Sequence, residues 1–280
     1  MESQASTTTS AELALPVGWS DGDGRRHREA RLRKMTGHDE ALLYAASRSA
    51  FERVSALLSA CLCRLGPLSE VTPAIASELA LADRDYLLVE LRRISLGDRV
   101  RAVYPCPACG AENRVIEELS ALDVRSWEGE ALCVDVELED GYRDRRGAVH
   151  RHVRLRPPRG DDLGHLEAVL ARDPLRAQEV LLLRCIERLG DMPRAELEAT
   201  GMKVLRDLSL ADRHALRRAV DDHMPGIDFR RPIRCGSCGH RFTALLDTSD
   251  FFSPSQADTS ASNARSSAWH GTSTGPGLRS

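Results

Sequence analysis

Residues 27–33 read HREARLR and residues 150–156 read HRHVRLR, an offset of 123. A glycine and an acid follow each at matching distances: Gly37 and Asp39 in one place, Gly160 and Asp162 in the other. The likeness continues in the same order. CLCRLG at 61–66 answers CIERLG at 185–190, LALADR at 79–84 answers LSLADR at 208–213, and CPACG at 106–110 answers CGSCG at 235–239. Four ordered matches at nearly constant offset point to one unit present twice, and a repeat must be found before elements are assigned. The expected organisation is a Ser/Thr-rich head over 1–12, a first unit over 13–124 and a second over 132–253. A tail over 254–280 has too little apolar content to repay ordering, so head and tail are expected to be disordered. Trp269 is the tail's lone aromatic and reads as a stray residue.

Each unit opens with a hairpin signal. GWSDGDGRRHREARLR puts a Gly/Asp turn before an alternating run, with Ala30 and Leu32 on one face and Arg31 and Arg33 on the other. In the second unit the alternation groups Val149, Arg151, Val153 and Leu155 against His150, His152, Arg154 and Arg156. A helix is expected next, from Thr36 or Gly37 through the stripe Leu43, Ala46, Ala50, Val54, Leu57, Cys61 and Leu65, ended by Gly66 and Pro67. In the second unit it is broken, with Asp173 as a cap and Pro174 at the first helical position. Cys61 and Cys185 fall on equivalent helices as small core residues. LADR reads as a helix start, with Ser209 and Asp212 resembling a capping box. Each unit closes with strand, two-cysteine knuckle, strand. The fold class is therefore α+β, an internal tandem duplication of hairpin, helices and knuckle.

The cysteines carry the chemistry. Cys106 and Cys109 lie in CPACG, and Cys235 and Cys238 in CGSCG. A C-x-x-C turn followed by glycine aims two thiolates at one point, and zinc wants four ligands in a tetrahedron. Two knuckles related by a repeat complete one structural Zn²⁺ site, clamping the end of one unit to the end of the other. Two incomplete knuckles or redox pairs are the alternatives. A redox pair belongs at a helix start, whereas both motifs here sit between strand-like runs. His240 is set aside as a ligand because its counterpart is Ala111, and His150 with His152 reads as a solvated strand face. Cys63 and Cys133 are left over.

Composition narrows the function. Lys and Arg total 39 against 42 Asp and Glu, which excludes a globally basic nucleic-acid binder. Eight cysteines in 280 residues are too dilute for a disulfide scaffold, and no signal peptide or membrane span is read, so a cytoplasmic setting is expected. No phosphate loop, dinucleotide fingerprint, metalloprotease helix or serine elbow is found, which argues against an enzyme. A four-thiolate site is closed to water and predicts stability, not hydrolysis. A basic strand of Arg28, Arg31, Arg33, Arg154 and Arg156 remains as a surface that could face a partner. Nucleic acid is disfavoured there, since the knuckles lack interleaved aromatics for base stacking.

The ordered pieces RLRKMTGHDEALL, LADRDYLLVELRRISLGDRV, CPACG, ELEDG, RLRPPRGDDL and CGSCGHRFTALLDTSDFF carry a resemblance. Over residues 13–253 the chain resembles the baseplate hub assembly chaperone family of T-even-type phage tails, with relatives in phage tail-like contractile injection systems. The resemblance implies a non-enzymatic accessory protein whose partners are baseplate, hub or spike proteins. A zinc-ribbon nucleic-acid-binding or regulatory protein is the alternative.

Overall fold

The computed structural model describes residues 10–129, 131–223, 225–249 and 251–252; most of the expected head and all of the expected tail lie outside them. The fold is mixed helix and sheet, with several small antiparallel sheets, as the sequence implied. Strand β1 (Ser10–Ser20) pairs with β2 (Arg26–Arg33), from Ser10↔Arg33 to Ser20↔Arg26, with a bulge between Ala14 and Trp19. Asp21 closes the turn by accepting the backbone N–H groups of Asp23 and Arg25 at 3.0 and 2.8 Å. Ala30 and Leu32 are fully buried and Arg31 is exposed, as the alternation required.

The long first helix does not form. Instead α1 (Gly37–Leu43) stops, α2 (Ala50–Cys61) restarts, and Leu62–Leu65 turns into a strand, β3. The restart has a local cause: Ser49 and Glu52 make a reciprocal capping box at 3.2 and 2.8 Å. The strand has a tertiary cause. Leu62 and Leu65 are buried at a spacing that a helix stripe also satisfies, and pairing with β2 (Ala30↔Leu65, Leu32↔Leu62) decides between the two. Two helices follow, α3 (Pro73–Glu78) and α4 (Leu81–Leu96), the latter opening at LADR. Then come β4 (Arg99–Pro105) and β5 (Glu112–Glu118), paired around the first knuckle.

The second half begins with the short β6 (Val124–Arg125). Strands β7 (Val134–Arg143) and β8 (Val149–Leu155) form a hairpin with a bulge between Glu137 and Tyr142. Helices α5 (Gly160–Gly164), α6 (Glu167–Leu170) and α7 (Pro174–Cys185) lead into β9 (Ile186–Leu189), which pairs with β8. Asp173 accepts the Arg176 N–H at 3.0 Å, as a cap should. Then α8 (Arg194–Asp207) and α9 (Leu210–His223) precede β10 (Gly226–Ile227), which pairs with β6. Finally β11 (Arg230–Arg234) and β12 (Arg241–Leu245) pair around the second knuckle.

One face assignment is corrected. His150 is buried at 8 % exposure and Val149 is 40 % exposed, the reverse of simple alternation. The β7 bulge shifts the phase: His152 lies opposite Glu137, whereas His150 lies opposite buried Tyr142 and stacks on its ring. His150 also approaches Asp144 at 3.3 Å, so only His152 sits on a solvated face.

The core is aliphatic, as 4 % aromatic residues dictate. In the second half Leu138, Val153, Leu155, Ile186, Leu189, Val204, Leu205 and Leu216 are buried in one cluster. The described residues fall into two compact units, each discontinuous: those up to Ser95 with those of Ala121–Phe229, and those of Leu96–Ser120 with those from Arg230 on. The closing hairpins of both halves thus belong to one small unit.

Candidate metal centre

Each knuckle is built by its own backbone. Cys106 N–H donates to Ala111 O at 2.9 Å, and Gly110 N–H donates to Cys106 O at 2.8 Å. In the second, Cys235 N–H donates to His240 O at 2.8 Å, and Gly239 N–H to Cys235 O at 3.0 Å. The closing glycines adopt φ of +72° and +73°, a left-handed conformation that disfavours any residue with a Cβ. Strand β4 delivers the first pair and β11 the second, so sheet register sets where the sulfurs point.

The four sulfurs converge. Cys106, Cys109, Cys235 and Cys238 place their Sγ atoms within 4.8 Å of one another. The cross-knuckle pairs Cys106–Cys238 and Cys109–Cys235 are both 3.7 Å apart. A tetrahedron with metal–sulfur bonds of about 2.3 Å has edges of about 3.8 Å, so the donor set fits a tetrahedral thiophilic ion. These separations are too long for disulfides, in which sulfurs lie about 2.05 Å apart. One cysteine of each pair is buried (Cys106 and Cys235) and one exposed (Cys109 and Cys238), which leaves the centre at the surface of its unit.

Electrostatics ask for a cation. The N–H groups of Cys238 and Ser237, aimed at the Cys235 sulfur, hold its thiol down at about 6. At Cys109 the Ala111 backbone works in the same direction, but contact with the Cys238 and Cys235 sulfurs prevails and pushes the thiol up to about 12. Like charges on sulfurs at this spacing repel, and a positive ion among them would relieve that repulsion. His240 is outside the cluster and stacks on Phe242 instead, at 6.1 Å between ring centroids.

Two supports escaped the sequence reading. Asn113 accepts the Gly236 N–H at 3.0 Å and donates to Tyr104 O and Ala111 O at 3.0 and 3.2 Å. One amide thereby ties the turns of both knuckles together. Below it Glu117, 4 % exposed, accepts from Tyr104 Oη at 3.0 Å and pairs with Arg231 at 2.9 Å. Neither has a sequence signal, because each depends on which strands become neighbours.

The other cysteines do different work. Cys61 and Cys185 are buried, and burial pushes both thiols up to about 12, so they are inert core groups. Cys63 and Cys133 are half-buried and stand outside the cluster.

The basic strand residues are mostly engaged within the chain. Arg33 makes a bidentate pair with Asp39 at 2.7 and 2.9 Å, and Arg156 makes the matching pair with Asp162 at 2.8 and 2.9 Å. Arg154 pairs with Asp135 at 2.9 Å, and Arg28 donates to Leu15 O and Ser126 Oγ at 2.7 and 2.9 Å. Arg31 faces outward. Among the described residues no helix is long and apolar enough to cross a membrane.

A family model described as T4 bacteriophage base plate protein matches residues 14–253, most of the chain. No curated protein and no solved structure matches it.

Proposed function

The chain belongs to the T4 bacteriophage base plate protein family, and from that premise we propose that it is a non-enzymatic assembly factor for the baseplate hub of a phage tail-like contractile injection system. Its partners on this reading are the hub or spike proteins, met in the cytoplasm where such particles are built. The family match over 14–253 is the observation that carries the reading, and the ordered likeness to hub assembly chaperones points to accessory work.

The cysteine cluster fits the same reading. Cys106, Cys109, Cys235 and Cys238 would hold one structural Zn²⁺, whose chemistry is to fix four sulfurs in a closed shell. The chain's own residues set the knuckle turns, and Asn113 links them. Arg31, exposed on β2, is the basic-strand position assigned to partner contact.

Duplication of one unit is part of the proposal. Its supports are paired details at matching positions. The sheets run β1-β2-β3 and β7-β8-β9, with bulges at matching places. Asp83 accepts the N–H groups of Val17 and Gly18 at 2.7 and 2.8 Å, and Asp212 those of Glu139 and Gly141 at 2.7 and 2.9 Å.

Co-expression of the full chain with hub and spike proteins of the same particle tests the function. Co-purification, and loss of finished baseplates when the chain is deleted, are expected. Normal baseplate numbers without it would overturn the assembly role. Salt-sensitive binding to DNA or RNA that falls on Arg31→Ala would favour the nucleic-acid alternative.

A further inference from the structure

Within the larger compact unit, residues 158–170 of the second half pack on the helix starts of the first half. Pro158 O accepts the Leu81 N–H at 2.9 Å, and Gly160 N–H donates to Leu79 O at 3.0 Å. Glu167 accepts the Phe51 N–H at 2.9 Å. Leu163, Leu166 and Leu170 line an apolar cavity of about 360 Å³ together with Phe51, Leu81 and Leu88. The second half thus supplies a plug and the first half a socket.

The offsets give each part a counterpart in the other half, in which Leu163, Leu166 and Leu170 are matched by Glu40, Leu43 and Ser47. By the offsets of 123 to 129, the matching plug is residues 35–47, and the matching socket includes Leu175 (for Phe51), Leu210 (for Leu81) and Arg217 (for Leu88). Among the described residues, no bridge joins these two within the chain like the one between Ala80 and Arg159. Three of their apolar groups are open to solvent, Tyr44 (which matches Glu167) at 63 % exposure, Leu175 at 59 % and Leu210 at 71 %, while Leu43, which matches Leu166, is half-buried.

Two more observations point to a missing neighbour. A Cβ on Gly160 would meet Arg84 Cδ and Ser77 O, each at 2.7 Å, so the close approach of plug to socket requires glycine there. Gly37 holds the matching place with open space around it. Charge also complements. Leu163 and Leu88 line the same cavity, and the residues at their matching positions are Glu40 and Arg217, an acid and a base. Each charge is suited to the other and not to its own copy's apolar partner.

We infer that the plug over residues 35–47 of one chain seats on the socket that includes Leu175 and Leu210 of a second copy, so that chains associate head to tail. Such a contact is heterologous: it joins two different surfaces and closes into a ring or runs on as a filament. The inference rests on the proposed duplication and not on the baseplate reading, which survives if the chain proves monomeric.

Sedimentation of the full chain over a range of concentrations is the test, with circular dichroism showing that each variant is folded. The wild-type mass is expected to rise with concentration beyond one chain. Leu210→Glu spoils the socket and Tyr44→Glu the plug, and each alone should lose the rise. Mixed, they should give a dimer and nothing larger, because one good plug meets one good socket. Glu40→Arg and Arg217→Glu should each weaken association, and the double variant should restore it. A wild type that stays at one chain at every concentration overturns the inference. So does association that both single variants leave unchanged, or a mixture of folded variants that stays monomeric.

Discussion

Arg33 and Arg156 lay guanidinium forks on Asp39 and Asp162, and these pairs have a pH signature. The Arg33 fork holds Asp39 at about 2, against an ordinary 3.8. A carboxyl lowered in the folded state contributes stability above its unfolded value and loses it as pH falls through the folded one. Asp162 is lowered as well: burial pushes it up, but Arg156, the Arg159 N–H and Arg184 prevail. Melting temperature is therefore expected to fall between about pH 4 and about pH 2, and Asp39→Asn should flatten that fall. An unchanged slope in the variant would show that the pair is not the cause. Asn113 makes a second residue-scale prediction. Asn113→Ala removes the amide tying both knuckle turns and should cost on the order of 1–3 kcal/mol, with metal still bound. Metal loss at far lower chelator concentration than wild type would be its readout. The aspartates of LADR show where sequence reading stops. A helix-start acid was legible, but Asp83 and Asp212 reach away from their own helices to the bulged backbones of β1 and β7. No spacing rule contains that long-range contact.

At the scale of elements, the opening hairpins and the strand pairs flanking the knuckles were legible from alternation and turn chemistry. The stretch Leu62–Leu65 did not, because its buried positions fit a helix and a strand equally and β2 made the choice. The bulges opposite Arg151 and near Trp19 were equally hidden, and the first of them decided which face His150 takes. The turn after β3 is testable. Gly66 has φ +53°, and a Cβ there would lie 2.5 Å from that of His27. Gly66→Ala should destabilise the protein by more than about 1 kcal/mol, read from denaturant unfolding, since both backbone and neighbour object. Gly37→Ala, with open space around it, should leave the stability of the isolated chain nearly unchanged. A large loss at Gly37 in dilute protein would mean that the structure around α1 is tighter than described here.

For the whole molecule, the proposed repeat rests on matched motifs kept in one order. The convergence of the two knuckles was legible from their two half-sets of ligands; that β4–β5 and β11–β12 part from the rest of their halves into one compact unit was not, since no local pattern marks that division. Two-stranded hairpins are marginal alone. A structural zinc held by the four cysteines would contribute on the order of 10 kcal/mol of apparent folding free energy to so small a unit. Stringent chelation should therefore release the amides of β4, β5, β11 and β12 to hydrogen exchange while those of β2 and β8 stay protected. Equal loss of protection everywhere would mean that the metal serves the whole fold. The central claim is that knuckles from two halves share one ion, and metal content measured on the intact chain under native mass spectrometry tests it most directly. One zinc per chain, lost on either Cys106→Ser or Cys235→Ser, is the predicted result; two ions per chain, or none in protein purified without chelator, would contradict it.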